Sequence, residues 1–162
     1  MLTPVRRRLA ALALVLLVPS LGACAHQTDQ VYQPGVGVNN RQGAVDVLGA
    51  VVVSGTDGSG TFVASLVNKD LDKPAALTTI TGANGLTVQV TKTIQIAPDS
   101  LVNLADLGAA SVSGEPVKAG GFARLTLEFD TGQSTKMNVP IVNKDGEFSG
   151  VHPATPSSSA TP

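Results

Sequence analysis

Apolar side chains recur at every second position from Leu125 to Phe129 and again from Met137 to Ile141, and that period fits a strand. Leu125, Leu127 and Phe129 alternate with Arg124, Thr126 and Glu128, while Met137, Val139 and Ile141 alternate with Lys136, Asn138 and Pro140. A helix would scatter these side chains around its axis, whereas a strand sends one set to a core and the other to water. The intervening Asp130-Thr131-Gly132-Gln133 supplies a glycine for a tight turn, so the two segments are expected to pair as an antiparallel hairpin. Pro140 has no N–H to give to a ladder, which places it at a sheet edge or a strand end.

Shorter runs rich in Val, Ile, Leu and Thr, separated by turn residues, extend this pattern over the body of the chain. They predict strands over 45–54, 61–68, 75–82, 86–96, 100–105, 121–130 and 134–142. No stretch keeps a 3.6-residue period for the length of a helix. The expected fold is an all-β antiparallel sandwich occupying residues 44–145. Val51-Val52-Val53 reads as part of a buried central strand, and Asn84-Gly85 as a hairpin turn.

The N-terminus has a different character. Arg6, Arg7 and Arg8 precede the apolar run Leu9–Val18, and Leu21-Gly22-Ala23 leads into Cys24, the one cysteine of the chain. A basic region, a short apolar region and small residues before a cleavage point form a secretion signal, here residues 1–23. The apolar run falls short of the roughly 20 residues a spanning helix needs. Leu21-Gly22-Ala23-Cys24 matches the bacterial lipobox, and that resemblance implies a diacylglycerol on Cys24, which becomes the mature N-terminus. The chain is then expected to sit on the extracytoplasmic face of the cell membrane, anchored by lipid. Removing residues 1–23 deletes three arginines and no acid, which takes the formal net charge from -1 to -4. No polybasic patch remains to help, so the acyl chains alone must hold the membrane.

Residues 24–43 are polar and glycine-containing and read as a lipidated flexible tether. Residues 146–162 end in His-Pro-Ala-Thr-Pro-Ser-Ser-Ser-Ala-Thr-Pro, too polar to bury a core, and are expected to form a disordered tail.

Little in the body nominates chemistry. With 11 Lys+Arg against 12 Asp+Glu the chain has no basic surplus for phosphates, so no nucleic-acid partner is expected. A soft-metal site needs clustered imidazole, thiolate or thioether donors. The histidines are His26 in the tether and His152 in the tail, and Met137 alternates with core residues. No Gly-x-Ser-x-Gly surrounds a serine, and neither histidine has a triad context, so no catalytic residue is assigned and no enzyme is expected. Asp70 and Asp72 in Asn68-Lys69-Asp70-Leu71-Asp72-Lys73-Pro74 lack the glycine and distal glutamate of a calcium loop and read as a charged turn. The glycine-rich stretches at 55–60, 82–85 and 120–121 match no phosphate loop. No cofactor is implied.

Three stretches carry a likeness: Thr61–Lys69 followed by Asp72-Lys73-Pro74-Ala75; Ile96-Ala97-Pro98-Asp99-Ser100-Leu101; and Val117-Lys118-Ala119-Gly120 leading into Leu125–Phe129 and Val139-Pro140-Ile141. Over residues 45–142 the chain resembles the periplasmic copper chaperones of the PCu(A)C domain family. The lipobox, tether and tail make it similar to actinobacterial lipoproteins of that superfamily. The resemblance implies a cupredoxin-like β-sandwich. Members that bind Cu(I) use two His and two Met. Here Gln89 and Thr91 fall at the first pair of ligand positions, and approximately Ala110 and Val112 at the second. Amide and hydroxyl oxygens are poor Cu(I) donors and Ala and Val offer none, so no metal ligand is carried over. Two functions stay open: an accessory module that docks an envelope complex, respiratory complexes included, and a copper carrier with an atypical weak site involving His26, His152 or the N-terminal region.

Overall fold

The computed structural model describes residues 36–152. The signal segment, Cys24, His26 and the tail from Pro153 lie outside the described residues. Ten strands and one short helix follow in order: β1 (Val38–Asn40), β2 (Val45–Thr56), β3 (Ser59–Asn68), β4 (Ala75–Gly82), β5 (Thr87–Val90), β6 (Ile94–Ile96), β7 (Leu101–Asn103), α1 (Leu104–Leu107), β8 (Ala110–Ser113), β9 (Phe122–Phe129) and β10 (Ser134–Asn143).

The strands hydrogen-bond in the order β5-β8-β3-β2-β10-β9-β4-β6, with β1 added to β2 and β7 to β3. This single path curls into two layers, β5, β8, β3 and β2 on one side and β9, β4 and β6 on the other, and β10 belongs to both. The fold is the cupredoxin-like β-sandwich expected. The expected hairpin is β9–β10, in register from Glu128↔Ser134 to Phe122↔Pro140. Gly132, at φ +81°, makes its turn in a conformation that favours glycine. Leu125, Leu127, Phe129, Met137, Val139 and Ile141 are all buried.

Four expectations are corrected. The sandwich is not wholly antiparallel, because β10 runs parallel to β2 over Ile141↔Val52 to Asn143↔Ser54. Pro140 is not at a sheet edge: it is the last residue of β10 to face β9, and Ile141 is the first to face β2, so its missing N–H falls where the strand changes ladders. The 86–96 segment is two strands. Leu86, Val88, Val90, Ile94 and Ile96 keep one inward phase, but Lys92 occupies that phase and is exposed, and there the chain leaves one layer for the other. The Asn84-Gly85 turn, both residues at positive φ, likewise joins β4 in one layer to β5 in the other, so it is no ladder hairpin.

The 100–105 segment is strand only as far as Asn103. The Asn103 side chain accepts a hydrogen bond from Ala105 N–H at 3.0 Å and caps α1, whose Leu104 is buried. Two pieces assigned outside the body belong to it. Val38–Asn40 of the tether pairs with β2. Residues 146–152 of the tail turn once as a 3-10 helix and bring Phe148 and buried Val151 onto Val51, Val53, Val63 and Val142. Those four valines face outward from the β2–β3–β10 layer, and the chain's own C-terminal segment covers them.

Candidate interaction surface

Of the four positions that the resemblance aligns with copper ligands, Gln89 lies on β5, Thr91 just after it, and Ala110 and Val112 on β8. These strands pair antiparallel, with Val88↔Val112, Gln89↔Ser111 and Val90↔Ala110 in register, and Thr91 N–H donates to the Ala109 carbonyl at 3.0 Å. Directly paired residues share a face of a sheet. Ala110 and Val112 are therefore on the inward face and fully buried, while Gln89 and Thr91 are exposed on the other. The four positions do not converge. The outward face of this pair presents Thr87, Gln89, Ser111 and Ser113, amide and hydroxyl groups that suit neither Cu(I) nor Zn(II) as a donor set.

The backbone of His152 reaches the β3 strand next to this face. Thr61 Oγ1 donates to its backbone carbonyl at 3.5 Å, and Thr61 pairs with Ser111, which pairs with Gln89. Among the described residues no group of three or more His, Cys, Asp or Glu is placed to hold a metal. Met137 is core filler opposite Leu125 of β9, as its alternation implied.

A second constellation forms at the end of the sandwich where the tether enters. Asn68, the last residue of β3, is 1% exposed and organises it. Its Nδ2 donates to the carbonyl of Lys73 at 2.8 Å, Ala97 at 3.3 Å and Ile96 at 3.4 Å, and its Oδ1 accepts from Asp70 N–H at 3.0 Å. Asp70 Oδ1 in turn accepts from the N–H groups of Asp72 at 3.0 Å and Lys73 at 2.9 Å. Those two backbone bonds, Asp72 first, hold the Asp70 carboxyl below its ordinary pKa, with Lys73 adding in the same direction. The carboxylate of this turn is thus engaged by its own backbone.

The neighbouring 97–100 loop is stitched to the same turn by Asp99 N–H to the Asp70 carbonyl at 2.9 Å and Asn68 N–H to the Ser100 carbonyl at 3.0 Å. Asp99 sits at φ +47°, a conformation Asp tolerates better than most side chains. The outcome is a hydrogen-bonded pair of loops beside which Leu71, in the first loop, is 71% exposed and Leu101, at the start of β7 after the second, is 57% exposed. A hollow of about 380 Å³ beside them is lined by Ala44, Asn68, Asp70, Lys73, Pro74, Asp130 and Thr131.

The tether is fastened alongside. Asp46 is buried on β2 and faces Lys69 Nζ at 2.9 Å and Arg41 Nη1 at 3.9 Å. Lys69 Nζ also donates to the Arg41 carbonyl at 3.3 Å, and Asn39 Oδ1 accepts from Gly49 N–H at 2.7 Å. Asp46 carries no motif, and Asn68 showed itself only as the residue closing a strand before a charged turn. Their roles come from partners far along the chain.

No family model matches the chain, and no curated protein matches it. Solved structures do. The copper-bound PCuAC domain from PmoF2 is 17% identical with a TM-score of 0.51, covering 65% of this chain and 98% of that domain. The apo PCuAC domain from PmoF1 is 15% identical with a TM-score of 0.53, covering 65% and 99%. The apo PmoF2 PCuAC domain is 16% identical with a TM-score of 0.52, covering 67% and 98%. At these identities the likeness is one of fold, and the chain has a PCuAC-like β-sandwich.

Proposed function

We propose that this protein is a non-catalytic binding module of the cell envelope, anchored on the extracytoplasmic face by lipid on Cys24 and docking another envelope complex, respiratory complexes included. The observation that carries the reading is the outward face of β5–β8. A PCuAC-like scaffold there presents Gln89 and Ser111, and turns Ala110 and Val112 inward. A scaffold that keeps its strands and core but presents no soft donor on that face is suited to contact rather than metal transfer.

The test is a mild-detergent pull-down of the full-length acylated protein from its own membranes, with Cu(I) titration of the same preparation. Specific recovery of an envelope complex, with no Cu(I) bound tighter than about micromolar, supports the module. Tight stoichiometric Cu(I) binding without a partner overturns it. Cys24→Ser should release the protein from the membrane fraction, and persistence there would remove the lipid anchor from the proposal.

A copper-carrier reading has one supporting observation, the bond from Thr61 to the His152 backbone carbonyl, which brings that residue to the strand beside β8. It requires Cu(I) binding that disappears on His152→Ala and His26→Ala.

A further inference from the structure

The geometry points to the tether-proximal loops as the docking surface of the proposed module, and to a basic segment of a partner protein carrying an apolar side chain as what it binds. This rests on the binding-module reading and names its site.

Leu71 and Leu101 are the apolar element. An exposed leucine is unremarked on most surfaces, but Leu71 sits in the loop held by the Asn68 and Asp70 bonds, and Leu101 opens β7 directly after the 97–100 loop bonded to it. Locking loops before binding removes ordering entropy that association would otherwise cost. Leu101 also pairs with half-buried Val67, so the apolar area continues onto the outer face of β3.

Charge selects the partner. Lys69 and Arg41 already face the Asp46 carboxylate. Those two cations share one carboxylate, and in the 69–74, 97–100 and 130–133 loops Lys73 stands against Asp70, Asp72, Asp99 and Asp130, so five carboxylates face three cations across this end of the sandwich. Asp72, Asp99 and Asp130 are exposed, and Asp70 and Asp130 share one hollow with Lys73. An excess of carboxylates around two leucines is complementary to a basic segment with an apolar side chain, and it repels an anionic lipid surface.

The experiment places a photo-crosslinking residue at Leu71 in the full-length protein in its own membranes, with the same probe at Phe122, Gln89 and Thr79 as surface controls. The expected result is a protein adduct from Leu71 whose crosslinked peptide is rich in Lys or Arg and carries apolar residues. Its yield should fall about tenfold with Asp72→Asn and Asp99→Asn together, and with rising salt. Asn keeps the left-handed backbone of position 99 accessible, so the pair should melt like the parent protein. A lipid adduct from Leu71, an acidic or neutral crosslinked peptide, or a yield indifferent to both changes overturns the proposal. Adducts only from a control position move the docking face while leaving the module standing. No protein adduct from any position removes the module as well.

Discussion

The Gln133 side chain takes both backbone polar groups of Val45: Oε1 accepts from the Val45 N–H at 2.9 Å, and Nε2 donates to the Val45 carbonyl at 2.7 Å. One amide thus stands in for a strand partner at the start of β2, ahead of the first β2–β10 pair, Ile141↔Val52. Nε2 also reaches the Gln42 carbonyl at 3.2 Å and Thr135 Oγ1 at 3.1 Å, which ties the β9–β10 turn to the tether. Val45 is fully buried, so water cannot readily replace those bonds.

Gln133→Ala is therefore expected to destabilise the fold by about 1–3 kcal/mol, the cost of leaving buried backbone groups unpaired. Urea unfolding measures it. A loss under about 0.5 kcal/mol, the scale of an ordinary surface substitution, would mean that the tether end is held by other contacts.

Asp70 gives the stability a pH dependence with a defined sign. Its carboxyl is held below the ordinary value of 3.8 by the Asp72 and Lys73 N–H groups, so below about pH 4 the unfolded chain takes up a proton that the folded chain refuses. The stabilisation is present above the unfolded value and is lost as pH falls through the folded one. Asp70→Asn should lower stability near pH 7, where the parent's carboxylate is ionised, and flatten the acid limb, so that the two stability-versus-pH curves converge below pH 4. A variant whose acid limb overlays the parent's would show that these bonds are as good to the protonated acid.

Leu127 is fully buried in β9, paired with Thr135 on β10 and Ile80 on β4. Leu127→Ala should cost about 2–5 kcal/mol through lost transfer free energy and the cavity left behind. A cost below about 1 kcal/mol would place this strand in the opposite phase.

Val151 and Phe148 close the outward valine patch. Val151→Ala should cost about 1 kcal/mol, and removing residues 146–162 more than that, because Val51, Val53, Val63 and Val142 would face water. Unfolding midpoints of the two variants against the parent test this. If the truncated chain is as stable as the parent, the C-terminal segment does not cover these valines in solution.

The sequence by itself determined what depends on local period and local turn chemistry. Alternation in 122–129 and 134–143, with a glycine between them, set the strands, their inward faces and the hairpin, since side-chain period and turn geometry act over a few residues. The all-β class followed from the same signal. It also held a break that is legible afterwards: Lys92 sits in the inward phase of an otherwise continuous strand and marks where the chain changes layer. Ala110–Ser113 gave no such signal, because alanine and serine have little preference for strands, and β8 exists through its pairing with β3 and β5.

Only the tertiary structure decided which residues meet. It separated Gln89 and Thr91 from Ala110 and Val112 by one residue of register, and one residue turns a side chain to the other face. It gave Asn68 three carbonyls to hold and Gln133 a strand to complete, with partners 5 to 91 positions away in the chain. It drew Val38–Asn40 and Val151 into the body, because edges and apolar patches built by distant strands were there to receive them. A side chain's type is local, but its partners are fixed by long-range pairing, so the fold was readable in the sequence and the surface loops that Asn68 organises were not.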